Sequence, residues 1–507
     1  MQNLIENKSK IFSRNAIICI GIIGMLGFII RIYYTPQDIP LTLDAFRYFY
    51  YGIDASILGN IPIKYDFPNT GWSLFLSLVF QIGEFKSSLD YMMIQRICSE
   101  IFSVLTIIPL YFLARRFFNG SLAIVGISFF IFSPYIIENS IMGLTDSLFI
   151  FLITCFLALF FSNKKRSVIY SFLLLGGSSL IRYESLILII PALLLFINKY
   201  KSDSNFKESC FLVLALFFVV IIPFALWKIQ MGISDGSFSH LMSGAYVVIN
   251  DNSIVCEDCK INIFDPIRGM INLPKYLGVS LLPICFIFVP YSLISILRKE
   301  NKNFRYLILI GVFALLPAFY GYSRGFEETR YVFVVLPILC IASLFLIQRI
   351  ILNVKKQNVV ILGLVILVIV SSIIYLDYRQ PDYEYEKEAI QVAQFVHDLP
   401  GKINDYGHES YYVEVIKLEN VKFPILSSDV GLQSAVFLKG ESINEILINA
   451  KEEKLSYLGI TEKDKILSKI FYEENNYPFL KKIFDSDEFS FNFKIKIFEI
   501  DYSKIDI

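Results

Sequence analysis

The chain has 507 residues, 55% of them hydrophobic and only 18% charged, with basic and acidic side chains in equal number. A soluble domain carries about 25% charge, so an ordinary soluble protein is excluded, and a net charge of zero offers no basic surface to nucleic acid. The composition is that of a polytopic α-helical membrane protein.

Lys8, Lys10 and Arg14 precede an apolar run over residues 15–34. The run is too long for a signal-peptide core and no small-residue cleavage site follows, so it is expected to be an uncleaved first span with a cytoplasmic N-terminus. The next stretch, 41–52, carries Asp44, Arg47 and Tyr48. On a helix the i, i+3 spacing puts Asp44 and Arg47 on one face. Such a pair could act as a base beside an anionic head group or form an ordinary surface ion pair.

The apolar run 71–82 is too short to span and is expected to form an interfacial helix. Longer runs begin near residues 92, 121, 144, 168, 185, 209, 276, 306, 331 and 358, which with the first gives about eleven spans. With 71–82 kept out of the membrane, Arg115-Arg116, Lys164-Lys165-Arg166, Lys199 with Lys201, Arg298-Lys299 and Lys355-Lys356 all fall on the cytoplasmic side. The outer face then receives the first loop, the turn 135–143, the hairpin at Arg182-Tyr183-Glu184, the loop 230–274, the turn 323–330 and everything after residue 376. The inner loops are short, and no Walker or Gly-rich phosphate loop occurs. Chemistry on this topology faces outward, without cytosolic nucleotide.

Ionisable groups at membrane depth are costly, and their default reading is functional. Glu138 and Asp146 flank one outer turn, where Asp146 is equally placed to cap a helix. Arg182 and Glu184 stand alone in an apolar hairpin, as a site or as a local ion pair. Glu327, Glu328 and Arg330 precede a late span, where Arg330 is also placed to snorkel to the interface. Cys256 and Cys259 are expected to form a disulfide on the oxidising face rather than half of a zinc site; His240, His397 and His408 are expected on that face too. Six other cysteines lie in apolar runs as small hydrophobes.

Composition shifts at 377–381. Beyond it, helices are expected over 384–397, 443–454 and 463–475, and strands over 421–427, 455–460, 479–484 and 491–500. The expected organisation is a membrane domain, 1–376, with an outer loop 35–91 containing the interfacial helix 71–82, and a small extracytoplasmic α/β or α+β domain, 377–507.

Several motifs fall in a telling order. Asp44-Ala-Phe-Arg-Tyr48 opens the outer loop and Gly59-Asn-Ile-Pro62 closes its first part; Gln95-Arg96 leads the next span, which ends Tyr111-Phe-Leu-Ala-Arg-Arg-Phe-Phe118. Then come Ser133-Pro134, Thr145-Asp-Ser-Leu-Phe149, Leu180-Ile-Arg-Tyr-Glu-Ser185 and Thr329-Arg-Tyr-Val-Phe-Val-Val-Leu-Pro337. This order resembles the GT-C membrane glycosyltransferases, in the branch of dolichyl-phosphate-mannose-protein mannosyltransferases and ArnT-like enzymes.

The resemblance implies a polyprenyl-phosphate-linked sugar donor, a protein or glycolipid acceptor, and transfer at the outer or lumenal face of a plasma or ER membrane. It implies Asp44 as general base, Asp146 (with Glu138 as alternative) as the second acid, and Arg47, Arg182 and Arg330 as candidates for the donor phosphate. Glu184, Glu327, Glu328 and Tyr48 are further polar candidates. No cofactor is required, although a divalent metal on carboxylate oxygens is an option. Two departures bear on the acceptor: Ala45 follows Asp44 where protein mannosyltransferases usually have Asp-Glu, and Pro68-Asn-Thr-Gly71 replaces the usual Pro-Pro. The only tryptophans are Trp72 and Trp227, so the Trp-Trp-Asp motif of oligosaccharyltransferases is missing. A transporter or lipid flippase is the alternative reading; it would show internal repeats and broken midplane helices, and no repeat is seen.

Overall fold

The computed structural model describes residues 14–41, 43–62, 70–83, 85–230, 265–283, 285–298, 302–380, 383–421, 423–429, 436–440 and 442–504. Cys256, Cys259 and His240 lie outside them. The chain divides into two compact units, one made of Met1–Thr35, Ile61–Phe75 and Gln95–Arg379, the other of Pro36–Asn60, Leu76–Ile94 and Gln380–Ile507. The second therefore joins parts of the loop after the first apolar helix to the C-terminal tail, where the sequence suggests a single cut after residue 376.

The first unit is helical. Among the described residues seven helices are long and apolar enough to cross a membrane: Arg14–Tyr34, Ser88–Ala114, Tyr183–Tyr200, Phe206–Trp227, Lys302–Ser323, Thr329–Leu352 and Gln357–Arg379. An eighth is formed if Gly120–Ile131 and Pro134–Ile141, which meet at 51°, are one broken span. The bend falls where Pro134 supplies no N–H and crowds the preceding turn. The other expected spans are shorter helices. Asp146–Phe160 and Lys165–Ile181 have 15 and 17 residues. The span expected from residue 276 is divided into Pro266–Ser280 and Cys285–Arg298, because Pro283 cannot continue the first helix.

Packing in this unit follows small residues. In Arg14–Tyr34 the buried positions Ile20, Ile23, Gly24, Gly27, Arg31 and Tyr34 form one face, and Ile18, Ile22, Met25 and Ile29 are exposed on the other. An exposed apolar face of this kind suits lipid. A Cβ on Gly27 would stand 2.5 Å from Ile131 Cγ1, and one on Gly176 would stand 2.2 Å from the Phe217 carbonyl oxygen. Helices in a membrane gain little from hydrophobicity alone and associate through such close approaches.

The second unit has a three-stranded antiparallel sheet of order β1-β3-β2, with β1 Tyr457–Thr461, β2 Leu480–Asp485 and β3 Ile495–Ile500. Leu458, Ile460 and Phe498 of the sheet pack with Ile446, Ile470 and Phe471, each contributing about 1.5–3 kcal/mol on full burial. The antiparallel order makes this an α+β domain. The helix Tyr383–His397 buries Ala389, Val392, Ala393 and Val396 at helical spacing. The helix expected over 463–475 shrinks to Ser468–Tyr472. Asp464 Oδ1 accepts from the backbone N–H groups of Ile466 and Leu467 at 2.9 and 2.7 Å, a local bond that competes with helix propagation. The described residues of 421–427 form no strand. Pro424 has no N–H to give a ladder, and Ser427 is instead tied to Asp54, which accepts from its N–H at 2.8 Å and its Oγ at 2.5 Å.

The first-loop helix Leu43–Leu58 belongs to this second unit. Ala45, Phe46, Phe49, Tyr50 and Ile53 are buried, and Phe46 and Phe49 meet rings of the tail. Phe49 stacks on Phe423 with centroids 5.9 Å apart, Phe46 lies 5.5 Å from Tyr411, and Tyr411 Oη donates to the Leu41 carbonyl at 2.8 Å.

Candidate active site

The turn before Asp146 is held by residues at the start of the short helix Gly71–Ile82 and in the helix that follows it. Gly143 has φ +73°, a left-handed conformation that glycine adopts without strain. Its carbonyl accepts two hydrogen bonds, from Trp72 Nε1 at 3.2 Å and Gln95 Nε2 at 2.8 Å. Arg96 Nε donates to the Ile141 carbonyl at 3.1 Å, and Ser99 Oγ donates to Ser147 Oγ at 2.9 Å. Gly71 is needed at the start of the short apolar helix Gly71–Ile82, since a Cβ there would stand 2.7 Å from the Leu180 carbonyl oxygen. Trp72, Gln95, Arg96 and Gly71 thus set the turn that ends at Asp146 and the strand-like residue, Arg182, that follows the helix Lys165–Ile181.

Three expected site residues meet there. Arg182 Nη1 donates to Asp146 Oδ1, while Nη2 and Nε donate to Glu184 Oε1 at 2.7 and 3.2 Å. The side chains are 14%, 4% and 17% exposed for Arg182, Asp146 and Glu184. The guanidinium also lies 5.8 Å from the Phe149 ring centroid. One cation serves two carboxylates here, so the cluster carries a net negative charge. Asp146 Oδ2 and Glu184 Oε2 are buried without a hydrogen-bond partner among the described residues, which leaves acceptor capacity for an incoming donor group.

Glu138, the alternative second acid, is placed elsewhere in the same unit. It pairs with Arg379 at 3.4 Å. Arg379 also lies over the Tyr135 and Tyr375 rings at 5.0 and 5.7 Å, and the two phenols bond at 2.7 Å. Tyr34 Oη donates to Asp377 Oδ1. These contacts pin the end of the last span to the first span and to Pro134–Ile141, so Glu138 has a structural task.

Glu327 accepts from Arg268 Nη2 at 2.9 Å, Tyr276 Oη at 3.2 Å and Asn272 Nδ2 at 3.3 Å. The Arg268 hydrogen bond, helped by those from Tyr276 and Asn272, holds its carboxyl below the usual glutamate range. Arg330 pairs with Glu328 and stands over the Tyr331 ring at 5.9 Å.

Asp44, Arg47 and Tyr48 lie in the first two turns of Leu43–Leu58, in the other compact unit. Asp44 and Arg47 are both exposed, with Ala45 and Phe46 buried between them. The first turn of a helix is a favourable place for a negative charge. His397 Nε2 lies 3.2 Å from Asn420 Nδ2 in the tail. Among the described residues no three His, Cys, Asp or Glu side chains gather as a metal site.

Sequence reasoning passed over a buried polar cluster in the first unit. Arg31 is fully buried in the first span and donates to Ser140 Oγ, Ser103 Oγ, and the Gly27 and Ile131 carbonyls at 2.8–3.2 Å. Glu100, also fully buried, accepts from Thr35 Oγ1 at 2.6 Å. The available signal was a single arginine and a single glutamate inside otherwise apolar runs.

Residues 72–227 match a family model described as dolichyl-phosphate-mannose-protein mannosyltransferase. Among solved structures, ArnT from Cupriavidus metallidurans bound to undecaprenyl phosphate matches with a TM-score of 0.57 at 10% identity, covering 96% of this chain and 98% of that one. The oligosaccharyltransferase AglB from Archaeoglobus fulgidus, in complex with an inhibitory peptide and a dolichol-phosphate, matches with a TM-score of 0.53 at 11% identity, covering 90% of this chain and 70% of that one. At these identities the likeness is one of fold. Comparison with curated proteins gives no match. The matched segment contains the whole Trp72–Gly143–Asp146–Arg182 arrangement, and the fold is the one shared by ArnT and AglB. The chain thus has several apolar helices and the fold of ArnT and AglB, and residues 72–227 of it match the mannosyltransferase family model.

Proposed function

We propose that this protein transfers a sugar, hexose or pentose, from a polyprenyl-phosphate donor to a hydroxyl of a protein or glycolipid acceptor. The observation that carries the reading is the coincidence of the mannosyltransferase family match, residues 72–227, with the residues that build and hold the Asp146–Arg182–Glu184 cluster. The ligands named for ArnT and AglB, undecaprenyl phosphate and dolichol-phosphate, support a polyprenyl-phosphate carrier.

In this reading an acceptor hydroxyl attacks the anomeric carbon, the bond from that carbon to the phosphate oxygen breaks, and the configuration inverts. Asp44 takes the hydroxyl proton as general base, which its exposed position permits. Polyprenyl phosphate leaves with the bonding electrons, and arginine supplies the planar donor fork that its oxygens need. Arg182 is occupied by two carboxylates, so its task is to position Asp146, and Arg330 and Arg47 are the candidates for the leaving phosphate. The N-terminus is cytoplasmic and the second unit extracytoplasmic, in a plasma membrane or, in a eukaryote, the ER. The test supplies radiolabelled polyprenyl-phosphate sugars to purified protein in detergent. Transfer by the wild type and none by Asp44→Asn supports the reading; full transfer by that variant, or none by the wild type with any donor, overturns it.

A further inference from the structure

The unit that joins the first-loop helix to the C-terminal domain contains a cleft of about 820 Å³, within the size range of sites for small organic ligands, about 300–1,000 Å³. Phe46, Arg47 and Tyr50 line it from the helix Leu43–Leu58, and Tyr385, Tyr406 and Phe493 are among the tail rings that face them. Carboxylates are set between the rings: Asp405, Glu409, Glu414, Glu462 and Asp464, against the cations Arg47, Lys463 and Lys494.

The carboxylates are held in place. Asp405 Oδ1 accepts from the Gly407 N–H and Ser410 Oγ, both at 2.9 Å, and Glu409 Oε1 accepts from Tyr385 Oη at 3.0 Å. Lys494 is drawn to Asp487 at 2.6 Å. Tyr406 is the independent clue. It is only 4% exposed, its ring lines the cleft, and its hydroxyl has no hydrogen-bond partner among the described residues. A buried phenol that lacks a partner is destabilising, a cost that a ligand hydroxyl would remove.

The lining selects among ligands. Five carboxylates against three cations repel an anionic ligand such as a phosphate. An acyl chain would desolvate those charges without compensating them. A neutral polyhydroxylated ligand satisfies both features, because its hydroxyls donate to carboxylates and its C–H faces lie on aromatic rings. We propose that this cleft binds a neutral saccharide as part of the acceptor. Arg47 lines it, and Asp44 lies one turn earlier on the same helix, so the saccharide is presented beside the base. The acceptor role rests on the transferase reading above; the binding itself does not.

The experiment is isothermal titration of the full-length protein, purified in a detergent without sugar head groups, with maltotriose, mannotriose, chitotriose and a lysine-rich peptide, all without donor. The expected result is saturable binding of at least one trisaccharide, weakened about two- to tenfold by Tyr406→Phe through loss of one hydrogen bond, and weakened likewise by Glu414→Gln. Asp44→Asn, which stops transfer, keeps this binding, so loss of transfer with binding retained separates the two claims. Binding of none of the trisaccharides, saturable binding of the peptide alone, or trisaccharide binding indifferent to both cleft variants overturns the proposal.

Discussion

Arg182 and Asp146, 36 residues apart in the chain, form an ion pair in which the aspartate is almost fully buried. The guanidinium is shared with Glu184, so each carboxylate depends on one cation. Arg182→Ala leaves the buried Asp146 and the half-buried Glu184 without this cation and is expected to destabilise the protein by about 3 kcal/mol. Replacing all three residues by uncharged side chains of similar volume recovers most of that loss. Thermal unfolding in detergent compares the two, and a single variant as stable as the wild type refutes the assignment.

Asp44 is exposed, and asparagine matches it in shape while lacking the charge. Asp44→Asn is expected to cost at most about 1 kcal/mol of stability, the worth of a negative charge in a helix's first turn, and to lower the transfer rate by about 10²–10⁴-fold, the usual contribution of a general base. The rate and the melting curve are measured on the same preparation. A large drop in the midpoint would mean that the side chain is structural.

Gly143 holds a left-handed turn while its carbonyl accepts from Trp72 and Gln95. Gly143→Ala is expected to cost about 1–2 kcal/mol in backbone strain and to reduce transfer by misplacing Asp146. Trp72→Phe keeps an aromatic ring and removes one donor, and is expected to cost about 1 kcal/mol. If Gly143→Ala unfolds at the wild-type temperature, the turn is less constrained than its geometry indicates.

Glu327 is stabilised in its ionised form by Arg268 and its neighbours. A carboxyl with a depressed folded pKa contributes stability above its unfolded value, about 4.3, and that contribution is lost as pH falls through the folded value. The pair is solvent-exposed at 37% and 40%, so the expected cost of Glu327→Gln at pH 7 is at most about 1 kcal/mol. The difference between variant and wild type should shrink on acidification below about pH 4 and weaken in high salt. A difference that instead grows in acid would show that Glu327 is not held in its ionised form.

What could be read in the sequence follows from the range of the interactions involved. Apolar runs and flanking charges reveal helices, and strand alternation located 455–460, 479–484 and 491–500, because these signals are local. The stretch 421–427 looked like a strand since nothing nearby reveals that Ser427 bonds Asp54, 373 residues away. Asp146, Arg182 and Glu184 were each picked out as polar groups at a membrane turn, yet the sharing of one cation by two acids depends on helix packing through Gly71 and Leu180. Arg31 was hidden in a run that read as a simple span, although it is bonded to residues 72, 100 and 109 positions away. Helices lie at the runs expected as spans, but among the described residues seven, or eight with the bent pair, are long and apolar enough to cross a membrane, fewer than the eleven expected; breaks at Pro134 and Pro283 account for part of the difference.

The Tyr411–Leu41 hydrogen bond joins positions 370 residues apart, and this has a consequence for biogenesis. The helix bearing Asp44 is synthesised long before the rings of Tyr411 and Phe423 against which it packs. Until the chain has grown past Phe423, that helix can pack Phe49 against Phe80 but lacks the rings of the tail. A truncated product ending after the last membrane helix would keep every acidic candidate of the site and still lack the partner that holds the first of them in place.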